Sequence, residues 1–190
     1  MNLIECFATK IAQTIRKNYT GAASEKVLIY SLSLLLNTIA AIVVTLFISI
    51  LSGHFVKAVI TINCFLFLRY FSGGVHFKSS IFCCIFSMTA LTLLAHVNFN
   101  YFYLGLFFDI LSFFILLIYA PNGLEKVSRI NPKYYFLLKI VCLLFVSTNF
   151  FIQSSMLSAI ILLQSLTLTK TGAYLFQIFE RRWQNESKTL

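Results

Sequence analysis

Long apolar stretches separated by short polar breaks dominate this chain. No charged residue lies between Lys26 and Lys57, which predicts a first membrane span from Tyr30 to Ser52 because a spanning helix needs roughly 20 apolar residues. A shorter second span is predicted from Phe55 to Tyr70. Lys57 and Arg69 near its ends are compatible with a span, since long basic side chains reach the lipid headgroups.

Polar breaks divide the rest of the apolar sequence into four more predicted spans. The third runs from Ser80 to His96 and the fourth from Tyr101 to Ala120, and the last two divide the stretch from Tyr134 to Thr169. The breaks lie at Asn98 to Asn100, at Pro121 to Gly123 and at Gln153 to Ser155.

The first 19 residues follow a different pattern, that of an amphipathic helix. Apolar residues recur at helical spacing from Leu3 to Tyr19 while basic residues fill the other face, which favours a helix lying in the membrane interface. The alternative interpretation is that these residues form an arm in solution. The apolar set is Leu3, Ile4, Phe7, Ile11 and Ile15, and the basic set is Lys10, Arg16 and Lys17.

Composition supports a membrane protein. The 190 residues are 59% hydrophobic and only 11% charged, against about 25% charged in ordinary soluble domains. We therefore expect an all-α, polytopic membrane helical bundle of about six transmembrane helices, in a single domain over residues 1–190. Its parts are an interfacial helix (1–26), the transmembrane bundle (27–170) and a cytoplasmic C-terminal segment (171–190).

The basic residues predict how the bundle lies in the membrane. The formal net charge is +9, and with the N-terminus inside, every Lys and Arg except Lys57 falls on the cytoplasmic side of the six-span layout. This asymmetry indicates contact with anionic membrane lipid, not with nucleic acid. Both termini are then cytoplasmic, in a multi-pass protein of the cell membrane.

Candidate chemistry is concentrated in the cytoplasmic segment from Arg69 to Cys84, RYFSGGVHFKSSIFCC. His76 and Cys83 are the minimum parts of a thiol nucleophile with an imidazole base. On one continuous helix they would lie about 10.5 Å apart, whereas proton transfer needs roughly 3 Å. The chain must therefore turn between them if they act together.

The residues around this pair can supply that turn. Gly73 and Gly74 tolerate positive φ, and Ser79 or Ser80 can cap the third span. With Ser80 as the cap, Cys83 is the third helical residue, in a first turn whose free N–H groups favour a thiolate. We expect the His76 ring to approach the Cys83 sulfur.

Simpler interpretations stay open for these residues. Cys83 can be a small apolar filler, His76 a solvated loop residue, and Arg69 a basic side chain that reaches the headgroups. Cys84 lies about 100° further round the helix, so it cannot face the same base. The five cysteines show no metal-ligand spacing, and Cys64 and Cys142 fit packing inside spans.

Asp109 is the one acid in the middle of a predicted span, and such residues are often functional. It supports the alternative function of a small proton-coupled transporter or channel. It is also compatible with a structural partner for a polar residue across the bundle.

The segment resembles the motif of the accessory gene regulator B (AgrB) family of quorum sensing. That motif is an Arg, then a Gly, one residue, a His, and a Cys seven positions later, here Arg69, Gly74, His76 and Cys83. The basic N-terminus, the several spans and the basic loop after the fourth span are also similar. The family usually has an acid where this chain has Gly123, and Asn122 or Glu125 are the candidates to replace it.

The resemblance implies a membrane-embedded cysteine endopeptidase. Its substrate would be an AgrD-like precursor peptide, with Cys83 as the nucleophile and His76 as the base. The cleaved peptide would form a thioester with the enzyme and leave as a cyclic thiolactone or lactone. The resemblance further implies no metal, no cofactor and a homodimer. The substrate-binding residues would be Arg69, Gly74, Lys78, Lys126 and Arg129.

Overall fold

The computed structural model describes residues 3–19, 21–74, 79–124 and 131–189. Within these ranges the chain is built from α-helices joined by short connections. A π-helical turn at Tyr101–Gly105 leads into α5, and a 3-10 turn at Pro132–Tyr134 leads into α6. The α-helices are α1 (Leu3–Asn18), α2 (Glu25–Leu51), α3 (Phe55–Ser72), α4 (Ser80–His96), α5 (Leu106–Tyr119), α6 (Tyr135–Ile152), α7 (Ser155–Leu166) and α8 (Lys170–Thr189).

Several of the described helices are long and apolar enough to cross a membrane. Four qualify alone: α2, α3, α5 with its π-helical turn, and α6 with its 3-10 turn. Helix α4 is apolar but shorter, and α7 and α8 qualify only as a pair bent by 86°. An all-α bundle with four or five candidate spans is thus confirmed, and the layout of six spans stays a prediction.

The predicted breaks between helices are confirmed, and local hydrogen bonds explain them. Asn100 accepts a hydrogen bond from the backbone N–H of Phe102 at 3.1 Å, which caps the π-helical turn. Gln153 adopts the left-handed conformation with φ 57° after α6, and the Ser154 side chain then caps α7. Helix α2 begins at Glu25, earlier than the predicted Tyr30, because an acid suits the positive end of a helix.

Helix α1 packs on α2 through small residues. Ala8 and Ala12 are fully buried, whereas Phe7 and Ile11 are exposed. The prediction that Phe7 and Ile11 share an apolar face is compatible with this arrangement, because that face is free to contact lipid. The interfacial position of α1 stays a prediction.

The core lies between α3, α5, α6 and α7. The short helix α7 is at its centre, since both Ile160 and Ile161 are fully buried and pack with Leu68, Leu116 and Val146. Cys142 belongs to the same core and Cys64 packs against it, so both fill space as predicted.

Asp109 is fully buried in a polar cluster near the connection between α6 and α7. Its carboxylate accepts hydrogen bonds from the Tyr101 hydroxyl and the Asn149 amide, each at 2.9 Å. Asn149 also donates to the Ser158 hydroxyl and accepts from the backbone N–H of Ser154. Asp109 therefore links the π-helical turn to α6 and, through Asn149, to the start of α7.

This cluster leads to a prediction for Asp109. Asp109→Asn keeps an acceptor oxygen for Tyr101 and Asn149, so we expect near-normal thermal unfolding in detergent and near-normal peptide processing. Asp109→Ala removes the acceptor of the buried Tyr101 hydroxyl and one of the acceptors of Asn149; the unpaired hydroxyl alone costs about 1–3 kcal/mol, so we expect a lower unfolding temperature. Loss of function in Asp109→Asn with an unchanged unfolding temperature would instead support the proton-coupled transporter.

Candidate functional site

Cys83 lies in the first turn of α4, and Ser79 caps that helix. The Ser79 hydroxyl accepts a hydrogen bond from the backbone N–H of Phe82 at 3.4 Å, and the Ser79 carbonyl accepts one from Cys83 at 3.0 Å. The placement based on Ser80 as the cap was wrong by one residue, because the Ser79 side chain reaches the free N–H first. Cys83 is accordingly the fourth helical residue, and its side chain points back toward the helix start.

Helix α8 packs across this end of α4. The Glu180 carboxylate, which is almost fully buried, accepts a hydrogen bond from the backbone N–H of Ser79. Two aromatic contacts extend the interface, from Phe82 to Trp183 and from Phe86 to Phe176, with ring centroids 6.3 Å and 5.2 Å apart. The orientation of Cys83 therefore depends on α8.

The chain reverses direction after α3 through Gly73 and Gly74, which have φ angles of 77° and 124°. The predicted positive φ at both glycines is confirmed. Gly74 donates its N–H to the Asn122 carbonyl at 2.8 Å, and Asn122 donates its own N–H to Ser72 at 3.0 Å. A Cβ on Gly73 would lie only 2.2 Å from the Asn122 carbonyl oxygen, so the two backbones pair directly.

Polar side chains from the end of α7 hold this turn. Gln164 is fully buried and donates to the Ser72 hydroxyl at 2.9 Å and to the Gly73 carbonyl at 2.8 Å. Asn122, one of the candidates to replace the family's acid, uses its side-chain amide to donate to the Leu168 carbonyl at 3.0 Å. Both contacts tie the α7 end to the glycine turn.

The Arg69 side chain is half-buried and points toward the glycine turn. Its guanidinium donates to the Thr167 hydroxyl at 3.4 Å. A Cβ on Gly74 would lie 2.3 Å from the Arg69 Nη1 atom and 2.7 Å from the Thr167 hydroxyl. Glycine is thus the only residue type at position 74 that leaves room for the Arg69 side chain. This gives a physical reason why an Arg and a Gly occur together in one motif.

Arg69 and Cys83 line one cavity of about 140 Å³ between α2, α3 and α4. The guanidinium interacts electrostatically with the Cys83 sulfur, and Ser87, one turn further along α4, lines the same cavity. Cys84 points elsewhere and is buried with its sulfur 3.9 Å from the Asn37 carbonyl. The predicted separation of the two cysteines is therefore confirmed.

The other predicted site residues lie outside the described ranges. They are His76, Lys78, Lys126 and Arg129, and Glu125 lies outside as well. The approach of the His76 ring to Cys83 and the binding roles of the three basic residues therefore stay predictions.

Sequence patterns did not point to Gln164, Thr167 or Glu180 as parts of this site. Gln164 carried a usable signal, because it is the one amide in the apolar sequence between the break at Ser155 and Thr169. Thr167 and Glu180 carried none, since their partners are about a hundred residues away in the chain. In the described part of the molecule, no three His, Cys, Asp or Glu side chains are grouped so that they could hold a metal ion.

Comparison with known proteins gives one match. A family model described as accessory gene regulator B matches residues 6–179, nearly the whole chain. A search of curated proteins and a search of solved structures gave no significant match. The matched region contains the α3 end, the glycine turn and the start of α4. The chain therefore belongs to the accessory gene regulator B family, whose members take part in processing quorum-sensing propeptides.

Proposed function

We propose that this protein is a cysteine endopeptidase that cleaves an AgrD-like precursor and releases a cyclic peptide. Cys83 is the nucleophile and His76 is the base in this proposal. The main observation in support of this proposal is that Cys83 and Arg69, which come from different helices, line one cavity. A thiol at the start of a helix beside a guanidinium is suited to hold negative charge.

In the sequence, the proposed base is tethered between two segments that belong to the site. His76 follows Gly74 by two residues and precedes Ser79 by three. Gly74 contacts Arg69 and Thr167, and Ser79 begins the helix of Cys83, so both ends of the tether belong to the site.

The reaction begins when His76 takes the proton of the Cys83 thiol and the sulfur attacks the carbonyl carbon of the scissile peptide bond. Arg69 is positioned to stabilise the negative charge that develops at this end of the cavity. The C–N bond breaks, His76 gives its proton to the leaving amine, and the C-terminal tail departs. The remaining peptide is bound to Cys83 as a thioester.

An internal Cys or Ser of the precursor then gives its proton to His76, attacks the carbonyl carbon of the thioester and closes the ring. The Cys83 sulfur leaves and regains its proton from His76. A nucleophile held in place acts with an effective molarity that reaches about 10⁵ M or more, so positioning favours cyclisation over hydrolysis. The apolar walls beside Cys83 support this outcome, because they exclude water from the acyl group.

The charges of the site fit the proposed substrate. The family resemblance implies a precursor composed of an amphipathic helix, a ring segment and an acidic tail. Positive side chains attract such a tail. The helix would lie in the same membrane interface as α1. We include in the proposal a cytoplasmic active site and a homodimer. The residues expected to meet the acidic tail are Arg69, Lys78, Lys126, Arg129 and Lys133.

Two adjacent cysteines provide the first test. Cys83→Ala removes the nucleophile, so we expect no tail release from a co-expressed AgrD-type precursor, measured by mass spectrometry. Cys84→Ala removes only a buried packing group, so we expect substantial processing. His76→Ala is expected to behave like Cys83→Ala.

The adjacent pair also defines the result that would contradict the proposal. Normal processing by a folded Cys83→Ala protein would exclude thioester chemistry at this residue. The elution profile in detergent establishes that each variant is folded, and Cys84→Ala controls for the loss of a thiol at this point of α4.

The glycine turn provides a second test. Gly74→Ala places a methyl group against Arg69 and Thr167, so we expect processing to fall about tenfold or more, since a displacement of a positioned group by about 1 Å can cost as much as about 100-fold in rate. The measurement is the initial rate of tail release by purified protein in vesicles.

Gly53→Ala is the matched control for this variant. Gly53 also has a positive φ, but no atom lies within 4 Å of the position where its Cβ would be. Both variants carry the backbone strain of about 1 kcal/mol or more, and only Gly74→Ala should lose activity. Equal rates in the two variants would show that contact with Arg69 is unimportant.

A further inference from the structure

Two histidines meet at the end of α4 that lies opposite Cys83. His54 is in the connection between α2 and α3, and His96 is the last residue of α4. Their ring centroids are 4.5 Å apart, and the rings are tilted by 42° against each other. Cys83 is thirteen residues earlier in α4, about 20 Å away along the helix. The pair is therefore separate from the proposed catalytic site.

Backbone carbonyls fix both rings in the same tautomer. The His54 Nδ1 atom lies 2.7 Å from the Ser52 carbonyl oxygen, and the His96 Nδ1 atom lies 2.8 Å from the Thr92 carbonyl oxygen. Because a carbonyl oxygen only accepts hydrogen bonds, each Nδ1 carries the proton and each neutral ring presents a lone pair at Nε2. Metal-binding histidines have this arrangement, in which the other ring nitrogen donates to a carbonyl or carboxylate.

The two Nε2 atoms differ in their contacts. The Nε2 atom of His96 is 2.9 Å from the Ser52 hydroxyl, and that hydroxyl can turn to the Ser49 carbonyl at 3.4 Å. The Nε2 atom of His54 has no hydrogen-bond partner among the residues that the structure describes. His54 is half-buried and His96 is exposed. A dissolved ion can therefore reach both rings.

The local electrostatics favour a cation. Helix α2 ends at Leu51 and α4 ends at His96, so two negative helix ends converge here. The positive end of one helix, α3 at Phe55, opposes them. Lys57 in the first turn of α3 is exposed, so its long side chain can extend into solvent.

We propose that His54 and His96 form a binding site for one late transition-metal ion, Cu²⁺ or Ni²⁺, through their Nε2 atoms. Imidazole nitrogen is a preferred ligand of these ions, and water completes the coordination. The bound ion joins the connection between α2 and α3 to the end of α4. This inference does not depend on the proposed peptidase.

The separation of the rings indicates which ions fit. With a metal–nitrogen distance of about 2.0 Å, the ring centroid lies roughly 3.2 Å from the ion. Two such rings are about 4.5 Å apart at a right angle and about 5.2 Å apart at the tetrahedral angle. The observed 4.5 Å matches neighbouring ligands in the square-planar or octahedral geometry of Cu²⁺ and Ni²⁺. Zn²⁺, which prefers tetrahedral sites, is expected to bind more weakly.

Titration calorimetry with Ni²⁺ tests the site. The full chain is purified in detergent without a polyhistidine tag, and its accessible thiols are alkylated with N-ethylmaleimide. We expect one ion to bind per chain. His54→Gln and His96→Gln should each weaken binding about 100-fold or more, because a second ligand on the same ion raises affinity by this order. Wild-type affinity in either variant would overturn the proposal.

Two further variants separate this pair from other groups. His76→Gln removes the third histidine of the chain and should leave the Ni²⁺ affinity unchanged. Ser52→Ala removes the hydroxyl that contacts Nε2 of His96 and should tighten binding roughly fivefold, the equivalent of one net hydrogen bond. Loss of binding in His76→Gln, or weaker binding in Ser52→Ala, would place the ion elsewhere and overturn the proposal.

Electron paramagnetic resonance of bound Cu²⁺ provides a test that needs no variant and so does not depend on how any variant folds. We expect the hyperfine pattern of two imidazole nitrogens in the wild-type spectrum. A spectrum with a sulfur ligand, or with one nitrogen only, would overturn the proposal. Tighter binding of Zn²⁺ than of Ni²⁺ in the calorimeter would do the same.

Discussion

Direct backbone contact at Gly73 and Gly74 joins three distant parts of the chain at one end of the bundle. The Asn122 carbonyl accepts from Gly74, and Gln164 donates to the Gly73 carbonyl. A side chain at either glycine would occupy space that already contains the Asn122 backbone or the Arg69 guanidinium. Because neither glycine has a side chain, the Arg69 side chain can occupy this position and form one wall of the Cys83 cavity.

Buried polar contacts fix the rest of the arrangement. Helices in a lipid environment gain little from apolar contact with each other, so close packing and hydrogen bonds determine which faces meet. Helix α7 is short, but it carries Ser158 in the Asp109 cluster near its start and Gln164 near its end. It is thereby held at both ends, and its position relative to α3 and α5 is well defined.

Much of the fold could be predicted from the sequence, because apolar length and turn residues are local signals. The breaks after His96 and Ile152, the glycine turn and the position of Cys83 near a helix start all follow from neighbouring residues. The sequence left the cap open between Ser79 and Ser80, since two serines in a row compete for the same N–H, and the structure has Ser79 as the cap. Thr167 and Glu180 could not be predicted, because contacts across about a hundred residues leave no local pattern, and the cavity depends on such contacts.

The hydrogen bond between Ser79 and Glu180 has a consequence for biosynthesis. Arg69 meets Thr167, Gly73 meets Gln164, and the cap of α4 meets Glu180, so every one of these contacts waits for the last third of the polypeptide. Cys83 is synthesised early during translation, but the contacts that surround it are complete only after the ribosome has passed Glu180. The arrangement around Cys83 therefore forms only when translation of the chain is nearly complete.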